Sequence, residues 1–356
     1  MQYKNLKKIS IGWDIGGAHI KYCVESDDSK LIWYDILPFD FWRDYKKLKN
    51  LIRKVNYLYK KRKFVISNYF TMSAEMSDCF DTRDSGVKYI IQQIIESKCT
   101  SYIFSRNGFI KPNFISKSLL KNIGSYNWYA TALYLSNRYS DIIAIDYGST
   151  TCDFIIIKNG NIKNKRTSDL SGLQTNELLY SGCARTPIYT NINEINYKGQ
   201  IYKIIPEQFS LMSDINIILD TLKIKDIYSK TADGTLNNKT NAYKRVSRSF
   251  GFDYSKDKRN LIKYLASQIY NSQIDLIKSH IIYHMNQHFP DKKNVKIIGI
   301  GLGHEIISNI SRKKKISYLG INNILESEIK GGAALARVYP SYVMCRLNKL
   351  TSILKI

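Results

Sequence analysis

The first forty residues alternate apolar and polar positions in a pattern typical of three strands joined by two turns. Apolar side chains alternate with small or polar ones over 9–13 and end at Asp14. A diglycine turn follows, and then further apolar runs at 20–24 and 31–37. Period-two alternation bounded by turn residues predicts strands. The chain is therefore expected to begin with three consecutive strands, with an aspartate at the end of the first.

The same pattern begins again about 130 residues later. An apolar run at 141–145 ends at Asp146, a glycine turn follows, and 151–157 returns as a second strand. The Asn-Gly dipeptide at 159–160 is typical of a type I′ hairpin turn. It predicts a third strand from 162 to about 166. Two such units in one chain indicate an internal duplication rather than a short-period repeat.

The remaining patterns complete two α/β domains. Helical spacing or small-residue runs predict helices at 43–61, 87–95, 127–139, 261–285 and 331–338. Short apolar runs predict strands at 64–67, 101–104 and 295–300. Residues 190–256 are polar and irregular in pattern, which predicts an inserted subdomain or loop system. At 356 residues the chain suits two domains. They are expected at 1–140, joined by a C-terminal helix at 331–356, and at 141–330.

The charge balance changes this picture little. The chain has 54 Lys and Arg against 30 Asp and Glu, a net charge of +24, which would suit a nucleic-acid partner. The basic residues are spread along the chain, and they accompany many Ile, Asn and Tyr residues. All of these have AT-rich codons, so a genomic bias accounts for both enrichments. We therefore expect no nucleic-acid partner.

Cysteine usage and hydropathy indicate a cytoplasmic protein. The six cysteines form no CxxC pair, as expected of reduced thiols. No run approaches about 18 uncharged apolar residues, and no apolar leader precedes the first strand. We expect no membrane association, and we leave a homodimer open.

Two loops carry the strongest chemical signal. Each places a carboxylate at the end of a strand, followed by a glycine turn whose N–H groups can approach a phosphate. The predicted phosphate-binding residues are Gly16, Gly17, Ala18, His19 and Lys21 in the first loop, and Gly148, Ser149, Thr150 and Thr151 in the second. A carboxylate beside a phosphate calls for a cation between them, which predicts Mg²⁺ as cofactor. The predicted metal ligands are Asp14, Asp146 and Asp153.

A third glycine-rich segment follows the last predicted strand. Gly299, Gly301, Gly303 and His304 have the wrong spacing for a dinucleotide-binding loop. With the other two loops, they are expected to close over a nucleoside or the organic tail of a substrate. Small residues at 330–336 predict close helix packing.

These four segments, in order, resemble the acetate and sugar kinase, Hsp70 and actin superfamily. The resemblance implies an actin-like, ribonuclease H-like fold, with a mixed five-stranded sheet in each domain and a central cleft. Segments 71–80, 180–187 and 232–234 narrow the resemblance further. They are similar to the hydantoinase/oxoprolinase-related family of tetrahydromethanopterin-linked one-carbon transfer pathway proteins. The chain differs at His19 and Cys152, where the family usually has Asn and Thr.

That resemblance implies an Mg²⁺-dependent transferase of methanofuran biosynthesis. Such an enzyme joins a furanylmethyl diphosphate to the phenol of γ-glutamyltyramine and releases pyrophosphate. Asp14 and Asp146 would act through the metal, and Glu75 or Asp78 would be the base, unless these two form a helix-capping surface pair. Arg185 would bind a substrate carboxylate or form a structural ion pair.

Other functions remain open from sequence alone. An ATP-dependent small-molecule kinase or a hydantoinase/oxoprolinase-like hydrolase would use the same loops. A nucleotide-regulated assembly protein is a third class. Histidines at 280, 284 and 288 share one helix face, which is more typical of a solvated stripe than of a zinc site.

Overall fold

The chain forms two compact α/β units. The computed structural model describes residues 7–291, 295–321, 324–325 and 332–350. Unit 1 comprises Met1–Tyr139 and Asn322–Ile356, and unit 2 comprises Ser140–Ile321. The chain thus returns to unit 1 from 322, where the sequence analysis had placed the return at 331.

Unit 1 is built on a six-stranded mixed sheet. Its strands are β1 (Lys8–Ile15), β2 (His19–Ser26), β3 (Leu31–Pro38), β4 (Val65–Met72), β5 (Ser101–Ser105) and β6 (Gly108–Ile110), in the order β3-β2-β1-β4-β5-β6. Strands β1, β2 and β3 pair antiparallel, whereas β4 runs parallel to β1 and β5 parallel to β4. The predicted three-strand beginning is confirmed.

Helices cover both faces of this sheet. They are α1 (Phe41–Asp44), α2 (Leu48–Lys60), α3 (Arg83–Glu96) and α4 (Asn127–Ser136), and the C-terminal α10 (Tyr339–Leu350) follows a 3-10 turn at Gly332–Val338. The apolar side chains of β1, such as Ile11 and Trp13, join the core formed with α2 and α3. Helix α10 packs on β1, β2 and α4. Of the predicted C-terminal helix, Gly331 and 351–356 lie outside the described residues.

Unit 2 has a mixed sheet of similar topology, with different connecting segments. Its strands are β7 (Ile142–Tyr147), β8 (Cys152–Lys158), β9 (Asn161–Ile162), β10 (Leu178–Leu179), β13 (Lys296–Ile300) and β14 (Tyr318–Gly320). The order is β10-β8-β7-β13-β14, with β9 also paired to β8. Strand β13 runs parallel to β7 as β4 does to β1. The predicted α/β class with two duplicated units is confirmed, although each sheet has six strands among the described residues rather than five.

The third strand of the duplication is shorter in unit 2 than predicted. The turn at Asn159 and Gly160 has positive φ at both residues, as a type I′ hairpin requires. The strand nevertheless ends at Ile162. The side chain of Asn164 explains this, because its amide accepts from the Ile156 N–H and donates to the Phe154 carbonyl. A side chain therefore replaces the backbone ladder.

The region 190–256 is more regular than its polar composition indicated. This region contains a hairpin of β11 (Glu194–Tyr197) and β12 (Gln200–Lys203), followed by α6 (Met212–Ile218) and α7 (Lys239–Ser249). Every residue of α6 is buried. The buried Arg245 of α7 binds Asp214 of α6 at 2.6 Å. Two of the charged residues that made this region look exposed in the sequence therefore form an ion pair in the core of unit 2.

The other helices of unit 2 are α5 (Asp169–Gln174), α8 (Arg259–His288) and α9 (His304–Lys313). Helix α8 is 30 residues long, and it packs against α6 and β8. Within the described ranges, no helix has both the length and the apolar character that crossing a membrane requires.

Candidate functional site

The first loop is a closed backbone turn between β1 and β2. The Gly16 N–H donates to the His19 carbonyl at 3.1 Å, and the Gly17 carbonyl accepts from Phe41 at 2.9 Å. The N–H groups of Gly17 and Ala18 donate to no other described residue. The turn thus uses its carbonyls internally and leaves two adjacent donors available, the arrangement that binds anions in backbone nests.

The second loop has the same construction between β7 and β8. The Gly148 N–H donates to the Thr151 carbonyl at 2.9 Å, and the Ser149 carbonyl accepts from Arg185 at 2.8 Å. Here too the next two N–H groups, of Ser149 and Thr150, donate to nothing else in the described chain. The two loops predicted from sequence therefore share one backbone geometry.

The segment at 181–187 lies directly behind the second loop. The Cys183 N–H donates to the Gly148 carbonyl at 3.0 Å. A β-carbon at Gly182 would overlap the Ser149 carbonyl, so only glycine permits this approach. Gly182 in turn donates to the Thr186 hydroxyl at 2.7 Å. The segment that carried the family resemblance thus holds the second loop in shape.

A glutamine that the sequence analysis missed supports the same segment. Gln273 lies fully buried on α8. Its amide donates to the Ser181 hydroxyl at 2.9 Å and the Gly182 carbonyl at 3.0 Å, and it accepts from the Tyr147 hydroxyl at 2.7 Å. A lone Gln at an apolar position of a long helix was the only available signal.

Asp14 is buried at the end of β1, with 3% of its surface exposed. Its Oδ2 atom lies 3.3 Å from the Lys21 Nζ atom. Its Oδ1 atom is buried and has no hydrogen-bond partner among the described residues. A buried carboxylate oxygen normally has a partner, so this atom is available to a cation or water.

Asp146 holds the equivalent position in unit 2 and is partly exposed. The glycine segment of β13 and α9 lies beside it. Gly301 has a φ of +80°, and a β-carbon there would lie 2.5 Å from the Asp146 Oδ1 atom. Gly303 donates to the Tyr147 carbonyl at 2.8 Å. Its neighbour His304 is buried, with Nδ1 lying 3.0 Å from the Gly301 carbonyl. The structure thus brings the third predicted segment to the second loop.

Asp153 is engaged elsewhere. Its Oδ1 atom lies 2.6 Å from the buried guanidinium of Arg166, and its Oδ2 atom accepts from the Thr151 hydroxyl at 3.4 Å. The described residues contain no cluster of three or more His, Cys, Asp or Glu side chains able to hold a metal. A metal role for Asp153 remains a prediction without structural support.

Glu75 and Asp78 occupy different environments. Glu75 is fully buried, accepts from the Ser125 hydroxyl at 2.5 Å and lies 3.7 Å from the Arg83 Nε atom. Asp78 is exposed. The alternative that these two form a helix-capping surface pair is therefore wrong, because the Glu75 carboxylate is buried beside the Ser125 hydroxyl and the Arg83 guanidinium.

Two predicted groups remain accessible or half-accessible. Arg185 is exposed, and its guanidinium has no hydrogen bond or ion pair with any described residue. The structural ion pair considered for it is thus absent from the described part of the chain. His19, at the end of the first loop, is half-buried.

The histidines at 280, 284 and 288 do not form the expected solvated stripe. His284 is buried, and its Nε2 atom lies 2.8 Å from the Asn176 carbonyl. Burial lowers the pKa of its imidazole. Phe154 stacks against His280 at a centroid distance of 5.3 Å. The row belongs to the packing of α8 on its sheet.

The cysteines beside the second loop are not expected to be reactive. Burial raises the pKa of the Cys152 thiol well above its ordinary value, and the Asp153 and Asp146 carboxylates raise it further. Burial likewise raises the pKa of Cys183, whose thiol lies 3.2 Å from the Gly148 carbonyl. Both remain protonated at neutral pH, so neither supplies a thiolate.

Comparison with known proteins extends the resemblance beyond these loops. The chain is 27% identical over 350 residues to the (4-{4-[2-(gamma-L-glutamylamino)ethyl]phenoxymethyl}furan-2-yl)methanamine synthase of Methanocaldococcus jannaschii, covering 96% of this chain and 98% of that one. It is 32% identical over 215 residues to the protein of the same name from Methanococcus vannielii, covering 60% of this chain and 93% of that one.

Solved structures give more distant similarities. Nucleotide-free acetone carboxylase matches with a TM-score of 0.49 and 10% identity, over 84% of this chain and 68% of that chain. A glucokinase of the ROK family from Streptomyces griseus matches with a TM-score of 0.44 and 10% identity, over 96% of this chain and 100% of that chain. No function is inferred from similarities at this level.

The family model described as hydantoinase/oxoprolinase matches residues 68–340. This range includes the three segments on which the resemblance was based, together with the second loop and the glycine segment beside it. The chain belongs to the hydantoinase/oxoprolinase family.

Proposed function

We propose that this protein is an enzyme of methanofuran biosynthesis that condenses a furanylmethyl diphosphate with the phenol of γ-glutamyltyramine. The observation that carries the proposal is similarity over 96% of the chain to a synthase. The name of that synthase describes a γ-glutamylaminoethyl phenol joined through oxygen to the methylene carbon of a furan. A diphosphate is the leaving group that best matches a chain with two phosphate-type loops.

Each loop would bind phosphate through its backbone. Gly17 and Ala18 in one loop, and Ser149 and Thr150 in the other, each offer N–H donors that no described residue uses. Fixed backbone donors stabilise charge that develops on phosphate oxygens and need no reorganisation during the reaction. The segment at 181–187 would keep the second loop in this shape.

The residues at the end of β1 fit Mg²⁺. The Asp14 Oδ1 atom is buried without a partner, and hard carboxylate oxygens are what Mg²⁺ prefers. Asp146, at the equivalent position of unit 2, is the corresponding candidate ligand in that unit. Bound Mg²⁺ would neutralise charge on the diphosphate and make it a better leaving group. Asp153 is a weaker candidate, because Arg166 already holds its carboxylate.

The condensation balances without another reactant. The phenolic oxygen forms a bond to the furanylmethyl carbon, the bond from that carbon to the diphosphate breaks, and its electron pair leaves with pyrophosphate. The phenolic proton must pass to a base, since a free phenol has a pKa of about 10. Asp78 is the more accessible of the two predicted bases. Arg185 would bind the glutamyl carboxylate, which a guanidinium can do through two parallel hydrogen bonds.

An ATP-dependent kinase or hydrolase is the second candidate. The observation that favours it is the glycine segment at 299–303, because it lies beside Asp146, where a nucleoside could also be held. In the proposed condensation, the same segment would hold the organic part of the diphosphate substrate.

The test uses the purified full chain with furanylmethyl diphosphate, γ-glutamyltyramine and Mg²⁺. Mass spectrometry should detect the ether product, with pyrophosphate accumulating in equal amount, when ATP is omitted. A strict requirement for ATP, with ADP accumulating in step with product, would replace this proposal by the second candidate. A reaction containing EDTA in place of Mg²⁺ is the control.

A further inference from the structure

We propose that Thr71 and Asp14 together bind the divalent cation that accompanies the diphosphate. The metal role predicted from sequence was given to aspartates alone, and Thr71 had no role. The inference rests on the proposed function only in taking the ligand to be a metal diphosphate.

Strand register places Thr71 beside Asp14. Asp14 on β1 lies directly opposite Thr71 on the parallel β4, and opposite Lys21 on the antiparallel β2. Neighbouring strands lie about 4.8 Å apart, and directly opposed residues point to the same face. The three side chains therefore form a row across the sheet, which we call the Asp14 row. Asp14 lies two residues before Gly16, so this row borders the first loop.

Two oxygens of the Asp14 row lack partners. Thr71 is 1% exposed and Asp14 is 3% exposed. The Thr71 hydroxyl and the Asp14 Oδ1 atom are both buried, and neither has a hydrogen-bond partner in the described chain. Buried polar atoms are almost always bonded to protein or to ordered water. Two unsatisfied oxygens on opposed residues therefore indicate a missing partner common to both.

The chemistry of these oxygens favours a cation. One is anionic and the other is a neutral hydroxyl, the pair that holds Mg²⁺ beside phosphates in other phosphate-binding folds. Lys21 does not occupy this position, because its nearest carboxylate atom is Oδ2 at 3.3 Å. An ordered water is the rival occupant, since water also satisfies buried polar pairs.

The duplicated unit shows that the fold does not require the hydroxyl. The residue opposite Asp146 on the parallel strand β13 is Ile300, which is fully buried. An apolar side chain thus packs at this register in unit 2. A threonine with an unsatisfied hydroxyl at the same register in unit 1 is better explained by a ligand than by packing.

The test compares Thr71→Val with wild type, because valine keeps the shape and removes the oxygen. The probe is Mn²⁺ with inorganic pyrophosphate, and the readout is free Mn²⁺ by electron paramagnetic resonance. We expect Thr71→Val to bind Mn²⁺ about tenfold more weakly, since groups that support metal ligands contribute at least this much. Its unfolding midpoint in EDTA should equal or exceed that of wild type. Thr71→Ser should bind Mn²⁺ as wild type does.

The matched control is Thr131→Val. Thr131 is also fully buried in unit 1, but its hydroxyl donates to the Asn127 carbonyl at 3.4 Å. This control should leave Mn²⁺ affinity unchanged. If Thr71→Val folds poorly, Thr71→Cys keeps the test open, because a thiol at this position should shift preference from Mn²⁺ towards Cd²⁺.

Unchanged Mn²⁺ affinity in Thr71→Val would overturn the inference. A midpoint lowered equally in EDTA and in Mn²⁺ would assign the hydroxyl to an ordered water instead. The result is separable from the proposed function. Ether formation with normal Mn²⁺ binding by Thr71→Val removes only the inference, whereas tight Mn²⁺ binding by wild type without ether formation removes only the function.

Discussion

The two loop regions have the same backbone and different side chains. Both close a glycine N–H onto a carbonyl three residues later and leave the next two N–H groups unused. The Asp14 row reads Lys21, Asp14 and Thr71, whereas the equivalent row of unit 2 reads Asp153, Asp146 and Ile300. The two units therefore share the backbone of the turn and differ in the side chains beside it.

The difference extends to how each aspartate is held. Asp14 is buried and faces one cation, Lys21. Asp146 is partly exposed, and its neighbour Asp153 is drawn away by Arg166. We therefore propose Asp14 rather than Asp146 as the main metal ligand. In the unit 2 row, Asp153 already forms an ion pair with Arg166.

The largest expected effect comes from Asp153→Asn. Removing one partner of a pair whose guanidinium is buried costs about 3 kcal/mol of unfolding free energy. Denaturant unfolding should show this loss, while the affinity for Mg²⁺-pyrophosphate stays at the wild-type value. Weaker binding without loss of stability would return Asp153 to the metal ligands and remove the asymmetry between the rows.

The next effect separates Glu75 from Asp78. Glu75→Gln should lose about 1–2 kcal/mol of stability, because it weakens the hydrogen bond from Ser125 to a buried, charged carboxylate. Its kcat should change little. Asp78→Asn should keep wild-type stability and lower kcat by about 10²-fold, as expected for loss of a base. Thermal melts and steady-state kinetics with both substrates measure this. The reverse pattern would make Glu75 the base.

The smallest effect concerns Arg185, at the back of the second loop. Arg185→Gln should raise KM for γ-glutamyltyramine about fivefold, or about 1 kcal/mol, which is the upper end for an exposed ion pair. The affinity for pyrophosphate should not change, because only the Arg185 backbone contacts Ser149. Equal losses for both ligands would show that the guanidinium serves the diphosphate instead.

Local patterns were sufficient to predict the loops. An aspartate at a strand end followed by glycine fixes a turn through neighbouring residues alone, and the type I′ turn at 159–160 is equally local. The strand after that turn was too long in the prediction, because the Asn164 side chain intercepts the backbone of β8. The hydrogen bonds of Asn164 form only when its segment lies beside β8 in the folded chain.

Features that depend on distant partners could not be predicted. Arg245 and Asp214 are 31 residues apart, and each suggests a surface when taken alone, so 190–256 was expected to be irregular. Thr71 was singled out because its buried hydroxyl has no hydrogen-bond partner among the described residues. No sequence pattern reveals such a feature. Gln273 resembles any polar residue on a long helix until its three hydrogen bonds are seen.

We propose that each loop binds a metal diphosphate, with a larger contribution from the carboxylate of unit 1. Isothermal calorimetry of Mg²⁺-pyrophosphate binding to wild type, Asp14→Asn and Asp146→Asn tests it most directly. Asp275→Asn, in an exposed pair with Lys278 on α8, is the control. We expect the binding free energy to fall by about 1.5–3 kcal/mol in each loop variant, with the larger loss in Asp14→Asn and no loss in the control. Wild-type affinity in both loop variants would contradict it.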